Sequence, residues 1–310
     1  MQRLWGWEAF AHGAEMVSYF RWRQAPFAQE QFHAGLNRPD GAPDRGLEEV
    51  TQLGKELTAL GDIDAAETAD VAIVYSYDSI WALQVQPQGR NFTYIEQVIS
   101  IYRTLREMGL NVDFISPDAA LDGYKMVILP SQIHVSDDFA TRLTAFKGDL
   151  IVMPRAGSRT VSHEIPANLA PGPLSELLGV QVVRAESFRG FAAIDVDYRA
   201  KHYTFDRWRE YVEGEAETVA VTLDGHPAIT RKDNAYYIAG WPDDALLKDF
   251  LTVRIGAVGL ATLDLPFGGR TRTRGTYRFF VNYNPQATSI VACVSCELVL
   301  VSVRLTHSGV

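Results

Sequence analysis

The apolar positions of the first sixty residues fall into three periods. RLWGWEAFAHGAE places Leu4, Trp5, Phe10 and Ala11 at helical spacing and stops at Gly13. From Met16 the chain turns into MVSYFRWRQAPFAQEQFH, an apolar run that reads as a buried strand. It breaks at Ala25-Pro26 into a polar loop carrying Glu30 and His33. Leu47 to Leu60 then reads as a second helix. Helix, strand, polar loop, helix is the repeating unit of a (β/α)8 barrel, a fold that builds its sites on the loops behind the strand C-termini. Residues 1–61 therefore predict about two of eight repeats, the C-terminal remnant of a barrel.

Gly61-Asp62-Ile63-Asp64 reads as a linker, and the period changes after it. Val71 to Tyr75 is a continuous apolar strand of the kind buried on both faces of a parallel sheet. Ile95, Val98, Ile99, Tyr102 and Leu105 predict a helix over Thr93–Met108, capped by Gly109. LNVDFIS and KMVILPS read as strands, Asp137–Phe146 as a helix, and DLIVMP as a further strand. Alternation of strand and helix predicts an α/β domain over 62–260 with a doubly wound parallel sheet, flavodoxin-like or class I glutamine amidotransferase-like in pattern. A helix over Asp243–Leu260 leads into 261–310. There the alternation in TYRFFVNY and ELVLVSVRL predicts antiparallel strands joined at Asn284-Pro285, a small β-sandwich with Arg270, Arg272 and Arg274 on a solvated face.

Composition narrows the function classes. The 310 residues can hold two or three domains, and 47% hydrophobic residues suffice for their cores. Lys and Arg number 29 against 38 Asp and Glu, a formal charge of −9, with no basic block to grip phosphates, which argues against a nucleic-acid partner. No charged-then-apolar leader and no apolar run of membrane-spanning length occur, so no membrane partner and cytoplasmic residence are the expectations. Cys293 and Cys296 are the sole cysteines. Residues three apart on a strand face opposite ways, and no second Cys/His pair is near, so both read as strand cysteines and no metal is expected. In the α/β domain the loops SYDSIWAL, LPSQIHVS and MPRAGSRT follow strand ends, where such sheets carry ligands. Ser158 and His163 invite a hydrolase reading, but G-x-S-x-G is absent.

The string RLWGWEAFAHGAEMVSYFRWRQAPFAQEQFHAG resembles the last helix, strand and loop of the barrel in family 42 β-galactosidases. VAIVYSYDSIWAL, PGPLSELLGVQVV and GHPAITRKDNAYYIAGWPD resemble that family's trimerisation domain. The resemblance implies that Glu30 and His33, in the family's Glu-x-x-His loop, bind the galactose ring, and that Phe20 lines the same pocket. A carboxylate accepts hydrogen bonds from sugar hydroxyls, an imidazole can donate one, and an aromatic ring packs on a sugar face. Glu8 and Glu15 read as helix-surface charges, and Trp5, Trp7 and Trp22 as packing. The resemblance further implies a homotrimer, no cofactor, and a retaining hydrolysis of terminal β-D-galactosyl bonds. That reaction needs two carboxyl groups about 5–5.5 Å apart. The family's two catalytic glutamates lie on earlier barrel strands, and no residue here matches them, so the chain is expected to be inactive alone. Trp81 and the segment RGFAAIDVDYRAKHYTFDRWREYV are candidates for the subunit interface. Trp208 reads as core, and for Trp81 core and interface both stay open. The alternative is a non-catalytic oligomerisation or carbohydrate-binding protein built on the same α/β domain.

Overall fold

The computed structural model describes residues 1–64, 68–89, 91–190, 192–286 and, for the backbone, 297–302; Cys293 and Cys296 lie outside them. Two compact units are present, one made of 1–67 with 263–310 and the other of 68–262. The first and third regions of the sequence thus share one unit.

The first unit opens with α1 (Gln2–Ala11) and α2 (Arg45–Leu60), which Asp44 caps by accepting a hydrogen bond from Arg45 N. The helices approach closely because position 6 is glycine: a Cβ there would lie 2.2 Å from Leu53 Cδ2. Glu56 fastens the pair, accepting from Arg3 Nε at 2.7 Å and Trp7 Nε1 at 2.8 Å. Residues 16–22, read as a buried strand, form no strand, and Met16, Phe20 and Trp22 are 69–83% exposed. A strand needs a partner for its backbone groups. Among the described residues the backbone of this run is met by Leu36 N and Asn37 N, at Arg21 O and Trp22 O, while Tyr19 packs on the cluster of α1 and α2. Of the three tryptophans read as packing, Trp7 is buried, whereas Trp5 and Trp22 are exposed.

The second unit carries an eleven-stranded mixed sheet. Its first half follows β1 (Val71–Val74), α3 (Tyr77–Val85), α4 (Tyr94–Glu107), β2 (Val112–Ile115), β3 (Met126–Leu129), α5 (Asp137–Ala145), β4 (Asp149–Val152) and α6 (Ser175–Leu178). Then come β5 (Val180–Ser187), β6 (Ile194–Tyr198), β7 (Lys201–Gly214), β8 (Glu217–Thr222), β9 (Pro227–Lys232), β10 (Ala235–Ile238), β11 (Gly240–Pro242) and α7 (Asp244–Ala257). Strands β2, β1, β3, β4 and β10 are parallel neighbours in that order. Val71 and Ile73 of β1 join one core with helices α3, α4 and α7, while Ala72 and Val74 join another with α5 and α6. Helices on both faces explain why β1 and β3 are apolar at every position and β4 at all but Asp149, whose carboxylate pairs with Arg254.

The sheet does not stay parallel. Beyond β10 it continues through antiparallel pairs to β9, β8, β6, β7 and β11, with β5 on β7. The alternation of Tyr203 and Phe205, both buried on β7, is the period-2 signal for this half. Trp208 is core, as its sequence context indicated. Trp81 sits on helix α3 rather than in a loop, 58% exposed beside Tyr77.

The first unit closes with a three-stranded sheet of β12 (Gly269–Arg274), β13 (Tyr277–Asn282) and β14 (Glu297–Ser302). β12 and β13 are antiparallel, but β14 runs parallel to β13, so the expected antiparallel pair is corrected. Alternating apolar strands suit either direction, and only the connection chooses between them. Nor, among the described residues, is it a sandwich: helices α1 and α2 supply the opposing layer, with Leu4, Trp7, Ala11 and Leu53 against Phe279 and Val281. The arginines of β12 are not on a solvated face. Arg272 and Arg274 are buried, and Arg274 donates to Asp64 O at 3.0 Å and to Phe10 O at 2.6 Å while its guanidinium lies over the Phe10 ring. A buried guanidinium is stable there because carbonyls at the end of α1 need donors.

Candidate functional site

The loop between α1 and α2 is stitched at its neck. Leu36 N donates to Arg21 O, Asn37 N to Trp22 O and Gln24 N to Asn37 O, at 2.8–2.9 Å. Gly35 permits this approach, since a Cβ there would lie 2.6 Å from Gln24 N. With the neck closed, 25–34 folds back over 20–21, and a turn bond from His33 N to Glu30 O sets the two loop residues on one side. The Phe20 and His33 rings meet edge to face with centroids 6.1 Å apart. Glu30 forms an ion pair with Arg21, whose guanidinium lies 4.7 Å from the Phe20 ring centre. Phe20, Glu30 and His33, named from sequence, are therefore neighbours. All three are exposed: the ring of Phe20 is 71% accessible, and an acceptor, an imidazole and an apolar face are free to meet a ligand. Arg21 was not anticipated. A cation next to the strand aromatic was its only signal.

A second polar cluster, in the larger unit, was also unread. Glu210 is buried and accepts from Trp208 Nε1 at 3.1 Å, from Arg155 N at 3.0 Å and from the hydroxyl of Tyr237. Burial pushes its carboxyl above the ordinary range, against these hydrogen bonds and the Arg155 charge. Ser158 and His163 form no hydrogen bond with each other. The ring of His163 instead lies 4.7 Å from that of His134, whose pKa burial and the neighbouring His163 both lower.

Comparison with known proteins agrees with this architecture. Residues 69–261 match the model of the β-galactosidase trimerisation domain, and residues 1–60 match that of the β-galactosidase family itself. The chain belongs to the family 42 β-galactosidases. It is 42% identical over 305 residues to a β-galactosidase of Thermus thermophilus, covering 98% of this chain and 47% of that protein. It is 34% identical over 301 residues to one of Haloferax lucentense, covering 93% and 45%. The crystal structure of the β-galactosidase from the psychrophilic Marinomonas ef1 superimposes with a TM-score of 0.89 at 36% identity, over 95% of this chain and 47% of that one. The chain thus spans about half the length of the family 42 relatives it matches. Among the described residues, no helix is long and apolar enough to cross a membrane.

Proposed function

We propose that this chain is the C-terminal portion of a retaining β-galactosidase that hydrolyses terminal β-D-galactosyl bonds. In this reading 1–61 descends from the end of a (β/α)8 barrel and supplies one wall of the galactose pocket. Residues 62–260 are a flavodoxin-like assembly domain that forms a homotrimer, with Trp81 at the subunit contact. Residues 261–310 form the closing β domain. The observation that carries the reading is the convergence of Phe20, Glu30 and His33 in a loop whose sequence falls in the family match. The exposed apolar side chains of the same loop, among them Trp22, Phe27 and Phe32, support it, because a complete barrel would cover such a surface.

Glu30 accepts hydrogen bonds from ring hydroxyls, with Arg21 orienting it through their ion pair. His33 donates to a neighbouring hydroxyl, and Phe20 fixes the imidazole plane and packs on the sugar. A site built on hydroxyl hydrogen bonds rejects sugars that leave its polar groups unpaired. The acid and nucleophile carboxylates of the reaction come from outside these residues, so the chain alone should not turn over a chromogenic β-galactoside. The test is to graft residues 1–60 into an active family 42 barrel and substitute Glu30→Gln and His33→Ala. Each should lower kcat/KM by roughly one to three decades, a charge-assisted hydrogen bond of about 1.5–3 kcal/mol plus ring misplacement. Preference for galactosides over glucosides should narrow. Unchanged kcat/KM and unchanged preference would return Glu30 and His33 to an ordinary solvated pair.

A further inference from the structure

The loop after β4 lines a cleft of about 200 Å³ that the galactosidase reading leaves without a role. Arg155 and Arg159 on that loop face Trp208 and Glu210 of β7, with Val182 and Val183 of β5 and Ile165 along the sides. The position is the one at which doubly wound sheets hold ligands, outside the carboxyl end of a parallel strand. Arg155 is 6% exposed, and its Nη1 is closed off with no hydrogen-bond partner among the described residues. Its guanidinium packs against the edge-to-face pair of Phe92 and Trp208, 5.0 Å from each ring centre, which restricts the fork. Glu210 is close enough for its charge to act on Arg155, yet its oxygens accept from Trp208 Nε1, Arg155 N and Tyr237 and leave Nη1 of the fork unpaired. Burial draws the Arg155 pKa down to about 10, which leaves it a cation at neutral pH. Arg159 adds a second positive charge, donating to the carbonyl of Ser158 and in no ion pair among the described residues. Arg184 at the rim is paired with Glu186. A buried donor without an acceptor is unfavourable, and a planar fork matches the two oxygens of a carboxylate. Val183 and Ile165 are apolar yet 43% and 64% exposed at the mouth, so the walls ask for an apolar body rather than a bare ion.

We propose that this cleft is a binding site for a small organic carboxylate, its oxygens taken by Arg155 and Arg159 and its apolar body laid against Val182, Val183 and Ile165. The site is independent of the galactose loop and does not rest on the proposed hydrolase activity.

Isothermal titration of the 310-residue chain with acetate, butyrate and hexanoate, and with inorganic phosphate in parallel, tests it. Butyrate should bind saturably at one site, more tightly than acetate and than phosphate. Arg159→Gln, at a half-buried position, should weaken butyrate at least about tenfold, equivalent to about 1.4 kcal/mol. Val183→Glu, at an exposed position, should do the same by placing a like charge at the mouth. Arg155→Gln should abolish binding, and because that residue is buried the result counts only with an unchanged melting transition; the other two variants decide if it fails to fold. No saturable binding, or binding unaffected by Arg159→Gln and Val183→Glu, overturns the proposal. Phosphate binding as tightly as butyrate, without a chain-length effect, overturns it in favour of a plain anion site. A change in oligomeric state on Arg159→Gln, with no carboxylate binding to the parent chain, overturns it in favour of a subunit contact.

Discussion

Replacing Tyr237 by phenylalanine removes one hydroxyl from the interior of the larger unit. The side chain is fully buried, and its hydroxyl donates to Glu210 Oε2. Nothing else about the packing changes, since phenylalanine fills the same space. The loss is a hydrogen bond to a carboxylate, worth about 1.5–3 kcal/mol when the acceptor is charged and about 0.5–1.5 kcal/mol when it is neutral. A unit of this size melts about 2–4 °C lower per kcal/mol, so Tyr237→Phe should lower its transition by about 3–12 °C where Glu210 is charged and by about 1–6 °C where it is neutral. The size of the effect should depend on pH. Burial raises the Glu210 carboxyl above its ordinary 4.5. A raised pKa means that the folded state prefers the protonated form. Glu210's contribution is therefore fully present below about 4.5 and is lost as pH rises through the raised value. Relative to Glu210→Gln, the parent chain should lose stability along that climb. Over the same climb Tyr237→Phe should become more damaging, because the donor serves the charged form. The assay is urea denaturation at a series of pH values, read by amide exchange at residues 235–238, for the parent, Tyr237→Phe, Glu210→Gln and the double variant. In the Glu210→Gln background the tyrosine should matter less, with a coupling of about 1 kcal/mol or more. A pH-independent loss below about 0.5 kcal/mol, or strictly additive variants, would falsify the account of a buried carboxylate held by this hydroxyl.

In the smaller unit, Arg274→Ala removes two part-buried hydrogen bonds to backbone carbonyls and the stack on Phe10, and should destabilise by about 2–4 kcal/mol, with Arg274→Lys recovering only part because an ammonium lacks the fork; an unfolding midpoint within about 0.5 kcal/mol of the parent would show that solvent replaces it. Glu56, where burial is outweighed by bonds from Arg3, Gln52 and Trp7, titrates at about 2. That lowered pKa stabilises the fold above the ordinary 4.5 and is lost as pH falls toward 2, so acid should loosen the α1–α2 pair in the parent more than in Glu56→Gln, by about 1 kcal/mol for a partly exposed group; parallel acid curves contradict it. Amide exchange across 16–22, which lacks ladder bonds, should be faster than across Val71–Val74, which is buried on both faces, and equal rates in the monomeric chain count against the assignment.

The sequence by itself determined the elements whose signal is local. Helices α1, α2, α4, α5 and α7 lie where the sequence pattern puts them, and the apolar runs VAIV of β1, MVIL of β3 and LIV of β4 read directly as strands. The resemblance of the first loop to family 42 β-galactosidases, rather than its spacing, singled out Phe20, Glu30 and His33, and the fold sets the Phe20 ring against that of His33. Tertiary structure decided what depends on a distant partner. Met16–Trp22 has strand composition but, among the described residues, no neighbouring strand to accept its backbone, so it stays irregular, with Met16, Phe20 and Trp22 exposed and Tyr19 against the core of its unit. The direction of β14 is invisible in its alternation, since either pairing satisfies a pleated apolar face. Arg272 and Arg274 look like a solvated edge in sequence, yet helix α1 packs against that sheet and needs donors at its end, which draws Arg274 inward. The meeting of Arg155 with Trp208 and Glu210 joins residues more than fifty positions apart, and only the folded sheet gives that separation a distance.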